Sequence, residues 1–322
     1  MKLTRRTLFA AAAALALTLP AAAEPLPNIR IGTIENGPLS WEVETIRTLG
    51  LDKKHGFAMT PIVMAAPAAA QSALKAGKVN LIFTDWLWVA GERGRGTDLV
   101  VAPNARLPSS LIVKADSADQ SPTEFKGRKI GINGSPEDGG WLLLRASGLG
   151  AGIDLAIEAK ETHASPEVLR QELDRGELAA LVEPWPAAAV TSATGLREMD
   201  TAGAAATALG APEGFALQGY ALQKSWLDHH SKLASDFFAA AAEARQILST
   251  DDAEWDKLRN RMGAPDDARF AQIKGEYRAG IVAEFDPAKA EALYGALTGL
   301  EGGKLFGGSA APSLPEGLFH KP

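Results

Sequence analysis

The sequence predicts an α/β protein built as two doubly wound, largely parallel sheets with a cleft between them. Three observations carry that expectation. From Asn28 onward short apolar runs alternate with helical stretches, the pattern of βαβ units. The alternation breaks at Arg106-Leu107-Pro108-Ser109-Ser110, and a second βαβ series begins at Arg128. A further apolar run, Phe215–Leu222, then leads back, so the two series are joined by two crossings. The expected lobes are residues 24–107 with 215–322, and residues 108–214.

In the first series Ile29–Ile34 reads as a strand and Ser40–Leu49 as a helix with Ser40 as its cap. Phe57–Met64 is the second strand, and the helix Ala68–Lys75 stops at Gly77. Val79–Phe83 is the third strand, Trp86–Gly91 a short helix and Asp98–Ala102 the fourth strand. Leu111–Val113 is an apolar strand entered from the first crossing. The second series runs through a strand Arg128–Ile132, a helix Asp138–Ser147 and a strand near Leu155–Ala159. It continues with a helix Pro166–Arg175, a strand Leu178–Glu183 and a helix Ala187–Ala193. Beyond the return crossing, Asp228–Leu248, Ala253–Met262, Asp266–Ala279 and Pro287–Leu297 all have helical spacing. Gly302–Pro322 is a Gly/Pro-rich tail that wraps or extends.

The first 23 residues read as an export signal. Thr4-Arg5-Arg6-Thr7-Leu8-Phe9 is a twin-arginine pattern, an Ala/Leu run follows to Leu19, and Ala21-Ala22-Ala23 supplies a cleavage site. That run is shorter than the ~20 residues a spanning helix needs. The mature chain is therefore expected in a bacterial periplasm. The absence of cysteine rules out a disulfide framework, a thiol nucleophile and a Cys-based metal site. A net charge of -6 argues against nucleic acid, whose phosphates require a basic surface. No cofactor and no bound metal are expected, and the chain is read as a monomer.

Four stretches end an apolar run with a carboxylate and a tryptophan close behind it. They are Ile31–Glu35 leading to Trp41, Leu81–Asp85 with Trp86, Ile130–Ile132 leading to Glu137, Asp138 and Trp141, and Leu181–Glu183 with Trp185. Ligand chemistry in open α/β sheets lies just past the carboxyl ends of the strands. Each acid has a plainer role as well. Asp138 follows Ser135-Pro136-Glu137, a sequence that caps a helix, and Asp85 stands where it would cap the helix starting at Trp86. Glu35 lies in the turn Glu35-Asn36-Gly37-Pro38, and Glu183 is held extended by the proline that follows it. Trp41, Trp141 and Trp185 are placed either to stack on a ligand or to pack in the core. Arg106 and Ser109 at the first crossing are the foothold for an anionic group, and Ser135 a hydrogen-bonding one. The candidate ligand contacts are thus Glu35, Asn36, Trp41, Asp85, Trp86, Arg106, Ser109, Ser135, Trp141, Glu183 and Trp185. No histidine falls in these loops, so no general base is placed near neutral pH.

Several local elements occur in an informative order. Ile29-Arg30-Ile31-Gly32 opens the mature domain, and Ala73-Leu74-Lys75-Ala76-Gly77-Lys78-Val79-Asn80 follows. Glu124-Phe125-Lys126-Gly127-Arg128-Lys129-Ile130-Gly131 comes next, and then Leu173–Ala180 with Glu183-Pro184-Trp185. Over about residues 28–225 the chain resembles substrate-binding proteins of bacterial ABC importers, in the branch for sulfonates, taurine, nitrate and thiamine-pyrimidine precursors. The resemblance implies a two-lobed, type II-like periplasmic binding fold that closes on a small molecule without catalysis and delivers it to an inner-membrane permease. The acids and indoles favour a neutral or cationic solute, such as a heteroaromatic amine. The alternatives are a sulfonate, taurine or nitrate ligand, or a carboxylate-rich site for a hard metal or an accessory periplasmic role. A paired-carboxylate enzyme is disfavoured because nothing fixes two acids at a working separation.

Overall fold

A computed structural model describes residues 25–106, 109–191, 195–300, 305–306 and 313–322. The export signal, the Leu107-Pro108 step at the first lobe boundary and much of the expected tail lie outside the described residues.

The first sheet is made by β1 (Asn28–Ile34), β2 (Ala58–Met64), β3 (Leu81–Asp85), β4 (Leu99–Ala105) and β10 (Gln218–Gln223), in the order β2-β1-β3-β10-β4. The second is made by β5 (Ser110–Lys114), β6 (Lys129–Ile132), β7 (Lys160–His163), β8 (Ala180–Glu183) and β9 (Leu196–Thr201), in the order β7-β6-β8-β5-β9. β1 pairs in parallel with β2 and β3, and β6 with β7 and β8. Each sheet is nevertheless mixed, because β10 runs against β3 and β4, and β5 against β8 and β9. The reversed strands are the two that the chain enters from a crossing. A chain arriving from the cleft meets a sheet whose other strands point toward it, so it must run the opposite way.

Helices cover both sheets with the apolar faces that the spacing implies. Ile29, Ile31 and Leu81 pack beneath Val43, Ile46, Phe237 and Ala241, while Ile130, Ile132 and Val182 pack beneath Trp141 and Leu144. Three local expectations change. The helix Pro38–Leu49 is capped at Gly37 rather than Ser40, whose hydroxyl donates to the Gly37 carbonyl at 2.7 Å. Leu155–Glu158 is a helical turn capped by Asp154, and the strand follows it as β7. The sequence Asp228–Leu248 divides into helices Lys224–His229 and Ser231–Thr250. β9 and the helix Ala202–Ala208 were not expected at all. The described end of the tail docks on the edge of β4, where Val101 N–H donates to Leu318 and His320 N–H donates to Val101. Among the described residues, no helix is long and apolar enough to cross a membrane.

β10 approaches β4 very closely at a register shift between Gln218 and Gly219. A Cβ at Gly219 would lie 2.1 Å from the Ala102 carbonyl oxygen and 2.6 Å from Pro103 Cα, both backbone atoms. Gly219→Ala is therefore expected to cost about 1–3 kcal/mol, as overpacking does. The check is a chemical-denaturation midpoint measured beside that of Gly275→Ala, where a Cβ meets nothing within 4 Å.

Candidate functional site

The carboxyl ends of β1, β3 and β4 and those of β6, β8 and β9 lie on the side of each sheet where the two crossings pass. Two features occur there: an open cavity beside the crossings, and a tight contact between two helix starts.

The cavity has a volume of about 720 Å³. Arg106 lines it from the first crossing, Trp185 from the loop after β8, and Glu198 from β9. Gln272 and Glu276 enter from the helix Asp267–Gly280, and Glu213 from the segment leading to β10. Among the described lining residues its charge is thus three carboxylates against one guanidinium. Trp185 Nε1 donates to Glu276 at 2.6 Å, Gln272 donates to the other Glu276 oxygen at 2.7 Å, and Ser110 Oγ donates to Glu198. The Arg106 backbone N–H is anchored on Gly280 at 3.0 Å, and its guanidinium lies over Gly214, where a Cβ would stand 2.9 Å from Nη1. Ala188, Ala189, Phe215 and Leu217 supply apolar wall.

Trp185 also joins the lobes. Its ring meets Trp41 edge-on at 5.6 Å and lies 6.5 Å from Tyr277, while Trp41 packs on Trp255 at 5.7 Å. Trp41 is fully buried and donates through Nε1 to the Arg261 carbonyl at 2.8 Å. Next to it Glu42 is buried and accepts hydrogen bonds from the Tyr220 and Tyr277 hydroxyls, with Arg245 at 3.6 Å. Burial raises both phenols well above their usual range, so they remain donors. This network fixes the helix that carries Glu276.

The second feature is where the helices Trp86–Gly94 and Gly139–Gly150 begin. Asp85 caps the first, accepting from Trp88 N–H at 2.6 Å, and Asp138 caps the second, accepting from Gly140 and Trp141 N–H at 2.9 and 3.2 Å. Asp85 is buried, and Gly139 of the opposite lobe lies directly against its carboxylate. Burial and then the like charge of Asp138 push Asp85 up to about 7, and burial raises Asp138 as well. Only about 20 Å³ is left around the pair.

The other candidate contacts are distributed as follows. Glu35 is exposed, and Asn36, at φ 59°, lies against Gly263. Glu183 is fully buried and held by Arg170, whose Nε and Nη2 donate at 3.1 and 2.9 Å. Trp86 is buried and donates to the Ala216 carbonyl at 3.0 Å, and Trp88 is buried beside it. Trp141 is core under the second sheet. Ser109 is buried against Gly140, and Ser135 does not cap the helix, which is capped by Asp138 and runs from Gly139. The structure therefore brings Arg106 and Trp185 into the cavity and Asp85 and Ser109 into the tight contact. Glu198, Glu213, Gln272 and Glu276 carried no local signal in the sequence. Among the described residues no group of three or more metal-ligating side chains converges.

Residues 48–254, more than half of the chain, match the NMT1/THI5-like family model. The chain belongs to the NMT1/THI5-like family. No curated protein matches the sequence significantly. Among solved structures, this NMT1/THI5-like chain is similar to the alkanesulfonate-binding protein SsuA of Xanthomonas axonopodis pv. citri, bound to MOPS, at a TM-score of 0.73 and 16% identity over 92% of this chain and 99% of that one. The periplasmic aliphatic sulphonate-binding protein SsuA of Escherichia coli gives a TM-score of 0.67 at 18% identity, over 89% and 96% of the two chains. The nitrate-binding protein NrtA of Synechocystis PCC 6803 gives 0.59 at 13% identity, over 78% and 70%. At these identities the likeness establishes the two-lobed binding-protein fold, and the proteins that share it here are named for binding rather than for a reaction.

Proposed function

We propose that this NMT1/THI5-like protein is the periplasmic solute-binding component of an ABC importer, and that it captures a small organic solute, neutral or cationic, between two closing lobes. The moving bodies are residues 24–107 with 215–322 and residues 108–214. A permease in the inner membrane receives the solute from a monomeric carrier.

The observation that supports this reading is the charge of the cleft. A volume of about 720 Å³ suits a small organic molecule, and among the described residues its lining sets Glu198, Glu213 and Glu276 against Arg106. The helix starts that would offer free N–H groups to an anion already carry Asp85 and Asp138. Trp185 adds an indole on which a planar or cationic group can rest. The sulfonate and nitrate binders of the same fold make an anionic ligand the second choice, but such a ligand would meet three carboxylates.

A thermal-shift panel of amines, pyrimidines, sulfonates, nitrate and multivalent metal ions tests the reading. A ligand that binds only the folded protein raises its midpoint, by about 2.7 kcal/mol of stabilisation at a hundredfold excess over Kd. The expected result is a shift with an amine or a heteroaromatic base. Stabilisation by sulfonates alone would sink the proposal.

A further inference from the structure

Two carboxylates from opposite lobes are pressed together where the lobes meet. Asp85 Oδ1 sits so close to Gly139 that a Cβ there would lie 2.2 Å from it and 2.9 Å from Leu87 Cβ. The neighbouring Gly140 is equally tight, with Ser109 Oγ 2.3 Å from its would-be Cβ. The two glycines that open the helix Gly139–Gly150 are thus what lets it approach Asp85.

Among the described residues, the lining of the pair holds no cation. Leu87 faces it from the helix Trp86–Gly94, and Gly139, Gly140 and Leu143 from the helix Gly139–Gly150. Ser109 comes from the first crossing, Ala202 from the helix Ala202–Ala208, and Leu217 and Gln218 from the lead into β10. Among the described residues in that lining, Asp85 and Asp138 alone titrate. The nearest cavities carry Arg95, Arg145 and Glu137 on one side and Arg106 on the other. Arg95 is bonded to Glu92, and Arg145 is bidentate on Asp154. Two like charges in such a gap cannot both stay ionised.

We propose that closing the lobes takes up one proton, held between Asp85 and Asp138, so that acid favours the closed form. This rests on the hinge-closing reading above. In the open form each aspartate is a solvated cap at the positive end of a helix, where the carboxylate is favoured. In the closed form burial and mutual repulsion raise the pair, Asp85 to about 7. A pKa raised on closing makes the closed form's advantage complete below the open-state value and lost as pH rises through the closed-state value. The closing equilibrium therefore weakens by up to about tenfold per pH unit across that window. The carboxylates also make the contact without needing an anion to bridge the two helix starts.

The chain has no cysteine, so introduced thiols label uniquely. Val63 on β2 and Ile157 beside β7 are exposed at the far edges of the two sheets. Spin labels on Val63→Cys and Ile157→Cys read the lobe separation without any ligand. The wild-type separation is expected to be short at pH 5 and long at pH 8.5. In D85N/D138N it should be short at both, since asparagine caps a helix as aspartate does. D85N alone repeats the test should the double variant misfold. Gly139→Val, wedged against Asp85 and Leu87, should be long at both. A wild-type distance that ignores pH, or a D85N/D138N distance that follows it, overturns the proton coupling. If Gly139→Val matches the wild type at every pH, the hinge-closing reading fails instead.

Discussion

Arg170→Ala is expected to destabilise the protein by about 3 kcal/mol, because it removes a bidentate cation from a buried carboxylate. Glu183 is fully buried at the end of β8, and the Arg170 guanidinium grips both of its oxygens. Removing the arginine takes this bidentate cation away from a carboxylate in a dry place. Glu183→Gln should cost less, since the partly exposed Arg170 can turn to water. Replacing both by leucine should recover much of the loss, as apolar pairs of similar volume do at buried ion pairs. Thermal unfolding followed by circular dichroism measures all three, with a fall of roughly 6–12 °C expected for Arg170→Ala. A neutral Arg170→Ala would mean that Glu183 does not depend on this partner, and it would return Glu183 to the candidate contacts.

That pair shows why part of the site was hidden in the sequence. Glu183 sits just past a strand end and before Pro184-Trp185, which is where a ligand contact would stand. Its partner lies thirteen residues earlier on a helix. Nothing in the local pattern says that Arg170 reaches over. Asp85 and Asp138 were legible as caps because capping depends on the next few residues. Their meeting across the cleft was not legible, since it depends on Gly139 and Gly140 letting two lobes touch. Glu198 and Glu276 lie on an edge strand and on a helix that reads as packing, so neither announces a cavity.

The fold was easier to read where burial writes a period into the chain. β1, β3, β5, β6 and β8 are central or well-covered strands, and their apolar runs showed. β7 is Lys160-Glu161-Thr162-His163, an edge strand with no buried residue, and the apolar run just before it belongs to a helical turn with Ile157 exposed. β9 likewise keeps only Leu196 buried. Edge strands can resist pairing by carrying polar residues, and β7 and β9, which do so, escape a search by hydrophobicity, whereas the apolar edge strands β2 and β4 do not. The reversal of β5 and β10 follows from the crossings, but parallel pairing elsewhere masks it.

For a cationic solute, Glu276→Gln is expected to weaken binding by about 10–150-fold, the range that loss of a charged hydrogen bond gives. The substitution is chosen to remove charge and little else. The glutamine carbonyl can still accept from Trp185 Nε1, so the indole and the lobe contact stay in place, while the bond that Gln272 donates to the other oxygen is lost. Trp185→Ala is the contrasting change. It removes the ring that touches Trp41 and Tyr277 from across the cleft, and large-to-small replacement of a buried tryptophan costs about 3–5 kcal/mol. It should therefore lower the unfolding midpoint and the affinity together, whereas Glu276→Gln should lower affinity alone. Calorimetric titration of the best amine from the thermal-shift panel separates these effects, with Glu183→Gln as the acid outside the cavity. Equal losses in Glu276→Gln and Glu183→Gln would move the charge contact back to the strand end. Unchanged binding in Glu276→Gln would remove the cavity from the proposed function, because no other acid there is held so close to the indole that joins the lobes.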